Sequence, residues 1–366
     1  MSKTIVCLAC GGQSTEHEVS LQSAKNVLEA IDKDKYEILL VGIDKKGVWN
    51  LYANNDFVVN GDDPAKIALS NTGSPSFPML TENGPVLVEL NDRKQHPFDV
   101  MFPILHGHNG EDGAFQGLCQ MLNCPCVGCG LSASANCMDK DLTKQLLAAN
   151  GIRVAKGIVL RKGIDELDTA AVAAKFGMPV FVKPARTGSS VGVTKAHNVA
   201  ELEAAVADAF QYDNKLLIEE CVVGREIECA VLGTNEPFAA LPGEVIPQVE
   251  FYSYDAKYIM GDGAQLSVPA KLTVSQQDTV RAIAVKAFKV LECSGMSRID
   301  FFLRNDGQWV LNEINTIPGF TNISMYPRMM QASGITYSSL IDKLIQFSLQ
   351  EQEGGSRSCA TGHAGA

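Results

Sequence analysis

The sequence predicts an α/β protein of more than one domain, opening on a doubly wound unit. Three observations carry this. Short apolar runs alternate with segments of helical periodicity from end to end. The first such run, residues 5–9, is broken by Gly11-Gly12 and followed by a helical pattern. The 366 residues also exceed one small core, at about 150 residues per domain.

The elements follow in order. Residues 5–9 are continuously apolar, as a buried parallel strand requires. Thr15 and Glu18 have the spacing of a capping box, and Val19, Ala24, Val27, Leu28 and Ile31 fall on one helical face. Residues 37–43 and 98–105 read as further strands. Residues 54–97, rich in Asn, Asp, Gly and Pro, read as loops. A helix is expected over 139–149, stopped by Asn150-Gly151, then a strand over 179–183 and a glycine loop over 186–192. Asn198 and Glu201 open a helix carrying Val199, Leu202, Val206 and Phe210. Residues 215–219 and 226–232 alternate like strands. A long helix is expected over 276–291 behind Ser275 and Asp278, then a hairpin over 298–314 and a helix over 336–349. The small, polar tail from Gly354 reads as disordered.

Composition narrows the function. Hydrophobic residues make up 46% and charged residues 20%, with a net charge of −11. Such a chain is a poor generic ligand for nucleic acid or anionic membrane, so any phosphate site must be local. No apolar stretch reaches transmembrane length and no secretory segment is apparent, so a cytoplasmic protein with reduced thiols is expected. Of the 11 cysteines, Cys119, Cys124, Cys126, Cys129 and Cys137 crowd together without metal-type spacing; they read as small buried hydrophobes.

Four segments carry chemistry. Lys183 stands among apolar β-formers, where an ammonium is costly unless an anion meets it. The donor-rich loop Gly188-Ser189-Ser190-Val191-Gly192 follows it and suits phosphate oxygens, although it matches neither Walker A nor GxGxxG. A plain turn beside a snorkelling lysine is the alternative. In the hairpin, period-2 alternation puts Arg298 and Asp300 on one face and Glu313 and Asn315 on one face. In the right register these faces coincide, giving hard oxygen donors suited to Mg²⁺ at nucleotide phosphates. A solvated polar face is the alternative. His106 and Glu16 each follow an apolar strand, where open α/β sheets bind ligands. Finally, residues 250–258, with three tyrosines and Lys257, suit either a loop closing over a site or a surface loop.

Together these stretches resemble the D-alanine–D-alanine ligases of the ATP-grasp superfamily. The likeness spans about residues 3–349 and rests on Glu16-His17-Glu18-Val19-Ser20, His106-Gly107, Gly110-Glu111-Asp112-Gly113, Met138-Asp139-Lys140, Lys183 to Gly192, Tyr254 to Tyr258, Arg298-Ile299-Asp300 and Asn312 to Gly319. It implies an N-terminal doubly wound substrate-binding domain (1–131), then a two-part ATP-grasp fold: a central subdomain (132–217) and a C-terminal α+β subdomain (218–349). Residues 350–366 remain as a tail without a family role. The implied reaction joins two D-alanines through an acyl phosphate, releasing ADP and phosphate and feeding peptidoglycan synthesis in a bacterium.

The resemblance also implies roles. Lys140, Lys183, Ser190 and Lys257 would meet ATP phosphates. Glu219, Glu220 and Val222 would line the adenine edge, and Glu226 the ribose. Asp300, Glu313 and Asn315 would hold two Mg²⁺ (or Mn²⁺). Glu16, in a network with Ser189 and Tyr258, would bind the first D-alanine, with His106 nearby. Arg298 and Gly319 would stabilise the tetrahedral intermediate, and Ser324 with Met325 would receive the second D-alanine. A homodimer is the family's usual state. The type of sequence around Tyr258 favours an amine nucleophile over D-lactate. A nucleotide-binding module without turnover would have little use for Arg298 beside metal ligands, and a nicotinamide oxidoreductase would need a GxGxxG that the first strand lacks.

Overall fold

A computed structural model describes residues 2–53, 56–248 and 264–360. The first unit is a seven-stranded sheet in the order β8-β7-β6-β3-β2-β1-β9. Its centre, β1 (Thr4–Gly11), runs parallel to β2 (Tyr36–Ile43) and to β9 (Val100–Ile104). Residues 6–10 of β1 are fully buried because both faces are covered. Val6, Leu8 and Cys10 meet Leu21, Ala24 and Val27 of α1 (His17–Ala30). Cys7 and Ala9 meet Phe115 and Cys119 of α2 (Ala114–Met121). The expected capping box is absent: Glu16 is the cap position and its side chain does not cap the helix, and Glu18 instead pairs with Lys45 at 2.6 Å.

Residues 54–97 hold more structure than the sequence predicts. Following β3 (Trp49–Tyr52), they contain β4 (Val58–Val59), β5 (Ala68–Leu69), β6 (Ser74–Thr81), β7 (Gly84–Glu89) and β8 (Gln95–Pro97). The β6–β7 hairpin extends the parallel centre with antiparallel strands. Turn residues were read correctly, but they punctuate strands whose prolines obscure the apolar pattern.

After α3 (Leu131–Met138) and α4 (Lys140–Ala149) comes a four-stranded antiparallel sheet, β10-β13-β11-β12. It comprises β10 (Gly157–Arg161), β11 (Val180–Pro184), β12 (Thr194–Ala196) and β13 (Lys215–Glu220), backed by α5 (Thr169–Phe176) and α6 (Val199–Ala209). Val180, Val182, Leu216 and Ile218 face these helices. Alternation therefore turns Phe181, Lys183 and Glu219 to the opposite face. Asn198 caps α6 as expected, accepting from Glu201 N–H at 3.0 Å.

The third sheet runs β17-β16-β14-β18-β19, with β15 paired to β14. Its strands are β14 (Gly224–Gly233), β15 (Phe238–Ala239), β16 (Gly243–Pro247), β17 (Ala264–Ser267), β18 (Gly295–Arg304) and β19 (Trp309–Asn315). Ile227, Cys229, Ile299, Phe301 and Leu311 pack against α7 (Val274–Val290) and also against Ala133, Cys137 and Leu147 of α3 and α4. Helices α3 and α4 thus share the core of the third sheet, and a boundary at 217/218 would cut β13; the sheets change after Glu220. Helix α7 starts two residues before the expected 276, because Thr273 and Gln276 form its capping box.

The chain closes with α8 (Met325–Ala332) and α9 (Tyr337–Ala360). Helix α9 continues past the expected end at 349, so the stretch from 350 to Ala360 is helical rather than a disordered tail. Leu340, Ile341, Leu344 and Ile345 are fully buried in a core shared with α1 and β9. Tyr36 Oη donates to Asp342 at 2.8 Å. This helix ties the first unit to the third, so Leu344→Ala should destabilise the protein by about 2–5 kcal/mol; denaturant unfolding at unchanged slope measures it. Cys119, Cys124, Cys129 and Cys137 are buried, as expected of small hydrophobes, whereas Cys126 is only half-buried.

Candidate active site

Three elements bring the chemistry together. On the open face of the central sheet, Lys183 Nζ lies 2.9 Å from Glu219 Oε2 and donates to Asn312 Oδ1 at 3.3 Å. Glu219 is almost fully buried, and its other oxygen lies 2.6 Å from Lys144 Nζ. Burial opposes the Glu219 charge, but Lys144 and Lys183 outweigh it and hold the carboxyl down at about 2. Lys140 Nζ donates to Thr187 O at 2.5 Å, tying the start of α4 to the glycine loop.

In that loop Ser189 and Ser190 take φ of 49° and 60°, the left-handed region that side chains seldom occupy. Gly192 has φ +69°, and a Cβ there would sit 2.6 Å from Tyr212 and 2.8 Å from Pro184, so only glycine fits. Backbone strain of this kind is maintained where the surrounding structure over-determines it, often at ligand sites.

The hairpin register is the one the alternation needed. Arg298 pairs with Asn315 and Asp300 with Glu313, with a bulge just beyond Asp300. Arg298 grips Asp300 through two bonds, 2.8 and 2.7 Å, and lies 3.1 Å from Glu228 of β14. Asn315 Nδ2 donates to Asp300 at 3.1 Å, which turns its amide oxygen away from that contact. Among the described residues no group of three His, Cys, Asp or Glu is placed to hold a metal. Two carboxylates and an amide oxygen do nonetheless form a hard donor set. Asp300 Oδ1 keeps a lone pair beyond the one accepting from Arg298, whereas Oδ2 accepts from both Arg298 and Asn315.

The first unit supplies the third element. His106 is buried, and its Nδ1 meets Ile317 O at 2.9 Å. A neutral His bonded to a carbonyl through Nδ1–H presents Nε2 as an acceptor. Glu111, part of the Gly110–Gly113 motif but given no role by the sequence, accepts from Gly107 N–H at 2.8 Å and Ile317 N–H at 2.9 Å, joining the same two loops. Burial lifts its carboxyl to about 7, with Glu16 adding to the rise against an opposing effect of His106. Glu16 Oε2 reaches the glycine loop: a Cβ on Gly188 would lie 3.4 Å from it.

Two adjoining cavities result. One, of about 320 Å³, is lined by Lys140, Lys183, Ser190, Glu219, Glu220, Val222 and Glu226. The other, of about 250 Å³, is lined by Glu16, His106, Ser189, Arg298, Asp300, Glu313, Asn315, Gly319, Ser324 and Met325. They share Ser189, Glu226, Phe302, Asn312 and Glu313. Two expected residues are already engaged locally: Glu220 accepts from Lys156 N–H at 2.9 Å, and Ser324 Oγ lies 2.7 Å from Thr321 Oγ1. Lys257 and Tyr258, with the rest of the expected closing loop, lie outside the described residues. Lys144, Glu228 and Asn312 join Glu111 as groups whose place the sequence did not reveal.

Comparison with known proteins bears on this arrangement. Residues 5–129 match the family described as D-ala D-ala ligase N-terminus, and residues 146–346 match D-ala D-ala ligase C-terminus. A D-alanine–D-alanine ligase A from Chromobacterium violaceum is 49% identical over 364 residues, covering 98% of this chain and all of the relative. This chain belongs to the D-alanine–D-alanine ligase family. The solved D-alanine–D-alanine ligase of Coxiella burnetii superposes with a TM-score of 0.86 at 36% identity, covering 99% of this chain and 98% of that one. A D-Ala:D-Ser ligase from Enterococcus faecalis gives 0.84 at 35% identity, covering 95% and 100%. The family's ATP-grasp fold accounts for the two sheets facing each other across the larger cavity. Among the described residues no helix is long and apolar enough to cross a membrane.

Proposed function

We propose that the chain uses ATP to join two D-alanines into D-alanyl-D-alanine for peptidoglycan synthesis. The observation that carries this is the shared wall of the two cavities. A lysine-lined cavity fit for a triphosphate opens onto one where Glu16, His106 and Arg298 converge. A carboxylate is a poor electrophile, and a γ-phosphoryl group can reach it only across such a wall.

ATP lies in the larger cavity, with Lys140, Lys183 and Ser190 at the phosphates, Glu219, Glu220 and Val222 at the adenine edge and Glu226 at the ribose. Lys257 is the fourth group at the phosphates. Asp300, Glu313 and Asn315 hold two Mg²⁺ (or Mn²⁺), which neutralise phosphate charge when bound. Glu16, with Ser189 and Tyr258, receives the ammonium of the first D-alanine. Its carboxylate attacks the γ-phosphorus, ADP leaves and an acyl phosphate remains. Ser324 and Met325 place the second D-alanine, whose amine attacks the acyl carbon and expels phosphate. Arg298 and the backbone at Gly319 stabilise the oxyanion, with His106 beside the first substrate. The three units fall at about 1–131, 132–220 and 221–349, and the protein works as a cytoplasmic homodimer.

The similarity to a D-Ala:D-Ser ligase makes the second substrate the point to test. Phosphate release with Mg²⁺-ATP should require D-alanine, with D-alanyl-D-alanine as the product by mass. L-alanine alone should give no release, and D-serine or D-lactate added to D-alanine should yield mixed products at under about a tenth of the dipeptide rate. Predominant D-alanyl-D-serine would overturn the choice of second substrate. No release with D-alanine would overturn the whole reading.

A further inference from the structure

We propose that Lys144 is a positioning residue for the ATP site: by neutralising Glu219 from behind, it keeps Lys183 available to the phosphates. The proposal rests on the ATP reading of the larger cavity. Lys144 lies on α4, is 8% exposed and does not line that cavity. Its Nζ lies 2.6 Å from one Glu219 oxygen, while Lys183 lies 2.9 Å from the other.

The charges decide what this arrangement does. Two ammonium groups and one carboxylate leave the buried cluster with a net charge of +1, presented to the cavity by Lys183. Without Lys144, Glu219 and Lys183 form a closed neutral pair, and Lys183 is drawn onto the carboxylate. A buried ion pair without excess charge attracts a polyphosphate far less than a free ammonium does. Asn312 Oδ1, at 3.3 Å from Lys183 Nζ, fixes the lysine from the other side but adds no charge. Burial pulls the Lys144 ammonium down from its ordinary value, and Glu219 opposes that fall.

The proposal predicts a charge dependence that a merely structural role cannot produce. Lys144→Met should weaken ATP binding about tenfold or more, with the KM for D-alanine within about twofold. Lys144→Arg keeps a cation behind Glu219 and should hold ATP affinity within about threefold of wild type. Isothermal titration with ATP and Mg²⁺ on wild type, Lys144→Met and Lys144→Arg measures this, with thermal melts confirming folded protein. Lys144→Gln carries the same prediction should the methionine variant fail to fold. Wild-type affinity in Lys144→Met, or an arginine variant no better than the methionine one, would overturn the proposal alone. A wild type that does not bind ATP would overturn the ATP reading itself.

Discussion

Arg298→Ala is expected to lower kcat by about 10²-fold or more while ATP affinity stays within about threefold. The guanidinium borders the smaller cavity, where the proposed reaction would develop its oxyanion, and is absent from the lining of the larger one. An interaction made only as charge develops affects turnover and kcat/KM together and leaves ground-state binding alone. The substitution has a second consequence. Asp300 and Glu228 both face Arg298, so its loss leaves two carboxylates close together with their shared cation gone. Metal affinity should then rise or hold rather than fall, because Asp300 is released from its guanidinium. Arg298→Lys keeps the charge but cannot make both bonds to Asp300, and should restore only a small part of turnover. Rapid-quench turnover and ATP titration separate these effects. An ATP affinity that falls as steeply as kcat would remove Arg298 from the transition state and make it a structural residue.

The hairpin shows what a sequence can reveal about such a site. Period-2 alternation alone put Arg298 with Asp300 and Glu313 with Asn315, and only the strand register was missing. Lys183 was visible because an ammonium in an apolar strand is anomalous. Glu228 was within reach of the same reasoning: it shares a face with Glu226, while Ile227 and Cys229 point to the buried side. Lys144 was not. On α4 it stands among Asp141, Thr143 and Gln145, an ordinary polar stretch until its Nζ meets Glu219 of β13. Glu111 finds its second backbone partner only in the Ile317 loop, 206 residues away. Local pattern thus reports each strand's faces, while groups buried between units depend on contacts that no local window contains. The β6–β7 hairpin was missed for a local reason, since its prolines read as turn signals.

Glu219 gives the largest expected effect on stability, and its sign follows from linkage. Its folded-state pKa of about 2 lies below the ordinary glutamate value of 4.5. A depressed carboxylate contributes stability that is fully present above the unfolded value and is lost as pH falls through the folded one. The window is therefore from about 4.5 down to about 2. At 1.36 kcal/mol per pH unit the contribution is roughly 3 kcal/mol. Glu219→Gln removes it at neutral pH and leaves Lys144 and Lys183 facing each other, an uncompensated buried charge that costs about 3–5 kcal/mol. The variant should be the less stable protein at pH 7, with the gap to wild type closing toward acid as Glu219 of the wild type is protonated. Replacing Lys144 as well removes the repulsion, so the double variant should recover much of the stability at pH 7. Urea unfolding of wild type and both variants from pH 7 down to the lowest pH at which wild type folds measures this. A pH-independent gap would mean that Glu219 contributes packing rather than charge, and the salt-bridged cluster beside the proposed ATP site would lose its electrostatic basis.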